Sequence, residues 1–182
     1  MKLIKYNGFM NIVLLGYRGA GKSVVANILS KKLNRKLIRT DDLIVESAGM
    51  PIPRIVEEGG WPRFREIETR VIREVSQQAK NSIIDCGGGV VLNGRNIRLL
   101  KRDGKAVLLR ADFETIVQRI QNDPNRPPLT KGVSFEEEQK RILAEREPKY
   151  LAAADLVCDT TREQPRDTAR KIIDYFKKNS WI

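Results

Sequence analysis

Residues Asn11–Ser23 read NIVLLGYRGAGKS, and the fold follows from this stretch. Ile12–Leu15 are four consecutive apolar residues, the mark of a short buried strand. Gly16-Tyr17-Arg18-Gly19-Ala20-Gly21-Lys22-Ser23 then satisfies G-x-x-x-x-G-K-[ST]. Val25, Ile28, Leu29 and Leu33 follow at helical spacing. Strand, glycine loop and helix in that order predict a phosphate cradle. Glycines let backbone N–H groups turn inward on phosphate oxygens, and a helix N-terminus adds partial positive charge. Lys22 is suited to the β- and γ-phosphates, and the Ser23 hydroxyl to a Mg²⁺ shell. A nucleoside triphosphate ligand follows, while the group that receives the phosphate stays open.

The chain has 182 residues, 41% hydrophobic and 31% charged, as expected of one compact domain with a sizeable core. No apolar run approaches the ~20 residues of a membrane span. The first residues, MKLIKYNGFMN, lack the long apolar region of a signal peptide, so a cytoplasmic protein is expected. Residues 1–9 read as an N-terminal extension, with Met10 as an alternative start. Histidine is absent, which removes the commonest general base and the commonest metal ligand. Acid–base chemistry then falls to carboxylates, lysine or water. Cys86 and Cys158 have no metal-ligand spacing and read as buried free thiols. The net charge of +11 suits anionic small substrates as well as nucleic acid. The basic residues are spread along the chain, and aromatics are only 6% with no basic–aromatic run for stacking on bases, which disfavours nucleic acid.

Apolar runs at Ile12–Leu15, Lys36–Ile38, Ser82–Ile84, Ala106–Leu109 and Leu156–Cys158 alternate with helical patterns. The helical windows are about 22–33, 41–48, 51–58, 62–79, 92–102, 112–121, 134–147 and 165–178. This alternation predicts an α/β fold, a parallel sheet with helices on both faces. Ligands in such sheets sit beyond the carboxyl ends of the strands. After the second run come Thr40, Asp41 and Asp42, where a carboxylate can take a hydroxyl proton or order a Mg²⁺-bound water. The same residues are good helix N-caps, and the sequence leaves cap and chemistry both open. Arg65 and Glu68 stand three apart on a helix, a spacing that pairs them and fixes a guanidinium suited to a carboxylate. On its own this pattern equally fits a solvated helix face. Asp85 ends the third run, where phosphate-loop proteins often keep a Mg²⁺ carboxylate. Gly87-Gly88-Gly89 follow, either for close backbone approach to a ligand or for a tight turn. Arg126 lies in the proline-rich stretch 122–132, either closing over the transferring phosphate or decorating a linker, and Arg119 points to the same region. Arg146 precedes Pro148, where a helix is expected to end.

These stations together resemble the shikimate kinase family, small phosphate-loop kinases of the nucleoside-monophosphate-kinase type. The resemblance spans about residues 11–176 and rests on an ordered set: GxxGxGKS, an aspartate after the second strand, FRxxE, GGG, RP and RxPxY. It implies transfer of the ATP γ-phosphate to the 3-hydroxyl of shikimate in aromatic amino-acid biosynthesis, with Mg²⁺. The implied fold has three layers, α/β/α, with a five-stranded parallel sheet in the order 2-3-1-4-5. A substrate-binding segment at about 40–70 and a lid at about 122–134 belong to the same single domain. By resemblance Gly19, Ala20, Gly21, Lys22, Ser23 and Val24 wrap the phosphates, and Arg119 and Pro165 lie on the adenine side. Asp41 binds the shikimate hydroxyls and is the candidate base. Arg65 and Arg146 hold the carboxylate, Gly88 and Gly89 give backbone contacts, and Arg126 covers the phosphates. A monomer acting on a small molecule is implied, with neither nucleic acid nor membrane as partner. The chain departs from the family at Arg39, where an aspartate that helps hold Mg²⁺ is usual; Asp85 is the expected replacement. Other readings are a gluconate or nucleoside-monophosphate kinase, a nucleotide-dependent nucleic-acid-binding regulator, and a kinase that has lost catalysis.

Overall fold

A computed structural model describes residues 10–120 and 134–182. The expected N-terminal extension, Arg126 and all of the expected lid but Ser134 lie outside the described residues. The order is β1 (Asn11–Leu15), α1 (Lys22–Leu33), β2 (Leu37–Arg39), α2 (Thr40–Ala48), α3 (Ile52–Gln78), β3 (Ile83–Asp85), α4 (Gly94–Arg102), β4 (Gly104–Arg110), α5 (Phe113–Ile120), α6 (Phe135–Ala153), β5 (Leu156–Asp159) and α7 (Pro165–Lys178). A short 3₁₀ turn, Val90–Leu92, precedes α4.

The five strands form one sheet in the order β2-β3-β1-β4-β5, all pairs parallel. The expected strand order and three-layer class are therefore both observed. Alternate residues of a strand face opposite sides, so a sheet covered on both faces needs apolar residues throughout. β1 meets this: Ile12 and Leu14 join the core under α1 and α7, while Val13 and Leu15 join the core under α3, α4 and α6. Among the described residues, no helix is long and apolar enough to cross a membrane.

Two helices depart from the expected bounds. α3 spans both windows, 51–58 and 62–79, but Gly60 breaks it with φ 67° and ψ 179°, a conformation open essentially to glycine alone. Pro62 then takes the first turn of the restarted helix, where its missing N–H costs nothing. α6 does not end before Pro148 as expected; it runs through the proline to Ala153. The proline removes one internal hydrogen bond, but buried Tyr150 and Ala153 hold the last turns against the core. The capping alternative for residues 40–42 is also corrected. α2 makes no side-chain cap bond, and the Thr40 hydroxyl instead accepts from the Gly87 N–H at 3.0 Å.

Candidate active site

The carboxyl ends of β1, β2 and β3 lie side by side, so the loops that follow them meet. β1 turns into the phosphate loop, whose Gly19 (φ 78°) and Gly21 (φ 84°) adopt left-handed backbone that other residues resist. Gly21 ends the loop at the N-terminus of α1. Lys22 and Ser23 thus open the helix, where its dipole favours an anion. The Lys22 ammonium donates to the Gly16 and Tyr17 carbonyls, both at 2.9 Å, folding back along its own loop. Val24, an apolar side chain, is exposed beside them.

One cavity of about 260 Å³ opens next to this loop. Its wall brings together Asp41, Arg65, Gly88, Gly89 and Arg146, all expected at the acceptor, with Tyr17 and Arg18 of the phosphate loop. Trp61, Phe64 and Glu68 complete the α3 side. Asp41 stands in the first turn of α2, two residues after the end of β2. Arg65 and Glu68 project from α3 after the Gly60 break.

The Arg65 guanidinium donates to Glu68 Oε2 at 2.7 Å and lies 4.9 Å from the centre of the Phe64 ring and 5.5 Å from that of Trp61. A guanidinium held by a carboxylate and two aromatic faces keeps a single pose. Glu68 is 1% exposed and its other oxygen, Oε1, has no hydrogen bond. Burial raises its pKa first, Arg65 opposes, and the Asp41 carboxylate adds to the rise. The helix-face reading of this pair is thereby excluded.

Two of the three glycines, Gly87 and Gly89, have a reason that the sequence did not expose. A Cβ on Gly87 would stand 2.5 Å from Asp41 Oδ1, and one on Gly89 would fall inside the Arg65 guanidinium. The loop is bare so that the site's own side chains fit against it. The Gly88 carbonyl accepts from the Tyr150 hydroxyl and from Arg146 Nη1 at 3.4 Å. Arg146 is 8% exposed, buried between the glycine loop and the cavity.

Asp85 ends β3 in register with Arg39 of β2 on one side and Leu14 of β1 on the other. Arg39 turns away from the sheet; it donates to Asn27 Oδ1 of α1 at 2.9 Å and stands 3.8 Å from Asp42. Cys86 follows Asp85 and leads into the glycine loop. Its thiol is pushed up well above the usual range by burial, then by Asp85, Glu68 and Asp41, with Lys22 acting in the opposite sense. Cys86 and Cys158 are both buried free thiols, as expected.

On the far side of the loop, Arg119 donates to the Gly19 carbonyl at 3.0 Å and to the Thr160 carbonyl at 2.9 Å. It joins the phosphate loop to the turn after β5. A second, open cavity of about 660 Å³ lies beyond, lined by Asp112, Thr161, Gln164 and Lys171 among others. Pro165 opens α7 directly behind that turn.

Oxygen donors suited to Mg²⁺ are present in the Ser23 hydroxyl and the Asp85 carboxylate. No group of three His, Cys, Asp or Glu residues able to hold a metal ion occurs among the described residues, so protein ligands alone do not form a cage. That suits Mg²⁺, which keeps waters and uses phosphate oxygens for the rest of its shell. The sequence reading gave no role to Tyr17, Arg18 and Trp61, and it counted Phe64 and Tyr150 only as letters of FRxxE and RxPxY. Tyr17 and Arg18 stood in motif positions free to vary, and nothing local shows that the three rings face a cavity.

Comparison with known proteins identifies the family. A family model described as shikimate kinase matches residues 18–177. A shikimate kinase of Leptospira biflexa is 37% identical over 177 residues, 91% of this chain and 95% of that one. Another, of Thermodesulfovibrio yellowstonii, is 38% identical over 170 residues, 93% and 96% of the two chains. The structure of shikimate kinase from Acinetobacter baumannii in complex with shikimate superposes with a TM-score of 0.88 at 33% identity, covering 96% of each chain. That of Aquifex aeolicus superposes with a TM-score of 0.80 at 29% identity, covering 94% of this chain and 98% of that one.

Proposed function

The chain belongs to the shikimate kinase family, and from that premise we propose how its residues carry out the transfer. It is a kinase that phosphorylates shikimate at the expense of ATP; relatives of that name match over nearly the whole chain. The gluconate, nucleoside-monophosphate and nucleic-acid readings are not favoured. The observation that carries the assignment of roles is the shared wall: Asp41, Arg65, Gly88, Gly89 and Arg146 line one cavity with the phosphate loop.

Arg65 and Arg146 grip the shikimate carboxylate from two elements, α3 and α6. Two guanidiniums on one carboxylate fix the ring's orientation as well as its position. Gly88 and Gly89 supply backbone contacts. Asp41 orients the 3-hydroxyl and accepts its proton as the oxygen attacks the γ-phosphorus, the bond from that phosphorus to the β–γ bridging oxygen breaks, and ADP leaves. Gly19, Ala20, Gly21 and Lys22 hold the β- and γ-phosphates, with Val24 beside them. For that, the Lys22 ammonium exchanges its carbonyl partners for phosphate oxygens. Ser23 and Asp85 would hold Mg²⁺, directly or through water, and the metal would offset phosphate charge. Arg119 and Pro165 border the adenine, and Arg126 covers the transferring phosphate. Residues 1–182 act as one kinase domain, with about 40–70 as acceptor segment and 122–134 as lid. Action as a monomer in the cytoplasm, where ATP is supplied, completes the proposal.

ADP release measured with and without shikimate tests it. Release should depend on shikimate, and Asp41→Asn should lower kcat by about a hundredfold, within the range of general-base losses, with ATP affinity kept. Unchanged turnover in Asp41→Asn removes that residue from the mechanism.

A further inference from the structure

Tyr17 and Arg18 occupy the variable positions of the phosphate loop, yet their side chains reach α6. The Tyr17 hydroxyl donates to Gln139 Oε1 at 2.6 Å, and Arg18 Nε donates to the same oxygen at 2.9 Å. Arg18 Nη2 also donates to it and stands 3.8 Å from Glu138. The Arg18 guanidinium lies 5.9 Å from the centres of both the Tyr17 and Phe135 rings. Gln139 is fully buried and is not part of the cavity wall. Its Nε2 donates to Glu138 at 3.0 Å, so both ends of its amide are engaged.

Gln139 and Arg146 lie two turns apart on one face of α6, about 10 Å along the axis. That buried face also carries Tyr150, and Tyr150 and Arg146 both bond the Gly88 carbonyl. The helix is thus pinned twice, once to the phosphate loop and once to the glycine loop. Arg146 belongs to the second pin and the first fixes the helix two turns before it.

We propose that Arg18 is a positioning residue for the acceptor: through Gln139 it locks α6 against the phosphate loop and so holds Arg146 in the acceptor cavity. It belongs to the nucleotide motif by sequence and to acceptor recognition by function. The chemistry agrees, because a guanidinium with Nε and Nη2 committed to an amide and ringed by two aromatics is a strut. This rests on the reading that Arg146 grips the acceptor carboxylate, and deepens it.

The test compares Arg18→Met, Gln139→Leu, Arg146→Ala and the double variant Arg18→Met/Arg146→Ala by KM for each substrate. Losing a charge-assisted strut should raise the shikimate KM about tenfold in Arg18→Met, with the ATP KM within about twofold. Gln139→Leu should behave alike although it cannot touch substrate. In the Arg146→Ala background the Arg18 substitution should add less than about threefold, since its effect passes through Arg146. Arg18→Lys, the milder variant, should give an intermediate shikimate KM; a wild-type value overturns the inference. So does a rise in the ATP KM that equals or exceeds that for shikimate, or fully multiplicative effects in the double variant. If Arg146→Ala itself leaves the shikimate KM unchanged, the site reading falls and the inference with it. If Arg146→Ala is defective while Arg18→Met is not, the inference alone falls.

Discussion

Arg65→Ala is the perturbation that interrogates the most of this site at once, because the residue faces substrate on one side and Glu68 on the other. On the substrate side, the loss is one charge-assisted contact to a carboxylate, worth about 1.5–3 kcal/mol. That converts to about a ten- to hundredfold weaker shikimate affinity. The ATP affinity should hardly change, since Arg65 lies on α3 and lines the acceptor cavity. On the protein side, Glu68 keeps its burial and loses the 2.7 Å partner that opposes it. A buried group left without its partner costs about 1–3 kcal/mol. This cost depends on pH, and its sign can be worked out. The Glu68 pKa is already raised above its ordinary 4.5 in the folded protein. Between the unfolded and folded values the native state binds more protons, so stability falls as pH rises through that window. Removing Arg65 removes the main opposition to burial, lifts the folded value further, and widens the window upward. The Tm gap between wild type and Arg65→Ala should therefore be small near pH 4.5 and grow toward neutral pH. Calorimetric titration with shikimate and with ADP gives the first readout, and melting curves from about pH 4.5 to neutral pH the second. Equal weakening of both ligands, or a Tm gap that is constant with pH, refutes the reasoning.

Gly89→Ala should raise the shikimate KM about tenfold by pushing Arg65 off its perch; its own backbone, at φ −97°, accepts alanine without strain, so an unchanged KM would contradict the fit of loop to guanidinium. Gly60→Ala forces a side chain into glycine-only backbone and should cost about 1–3 kcal/mol, seen as roughly 2–10 °C in Tm; a wild-type melting curve would show that α3 does not need the break. Asp85→Asn should weaken Mg²⁺ binding to the ADP complex about tenfold, followed by titrating the ion against a fluorescent nucleotide; unaltered Mg²⁺ affinity would leave Ser23 without that partner.

The local part of the molecule was legible in the chain. Asn11–Ser23 announced strand, cradle and helix because apolar runs, glycines and helical spacing are short-range properties. Five apolar runs marked the five strands to within a few residues, and the resemblance gave their order. Pro148 misled, because a proline's local cost was outweighed by the packing of Tyr150 and Ala153, which the sequence around it does not show. Gly87–Gly89 were legible as a special place but not for the right reason: the atoms that need the space, on Asp41 and Arg65, lie tens of residues away.

Periodicity and motif spacing, which depend on neighbours in the chain, therefore determined the class of fold and the phosphate cradle. Tertiary structure alone decided that Arg65 rests on Glu68 and two rings, that Arg39 turns to Asn27, and that Arg18 braces Gln139 across more than a hundred residues. Those contacts are set by how the layers pack on the sheet, and side chains far apart in sequence learn of one another only once the sheet has formed.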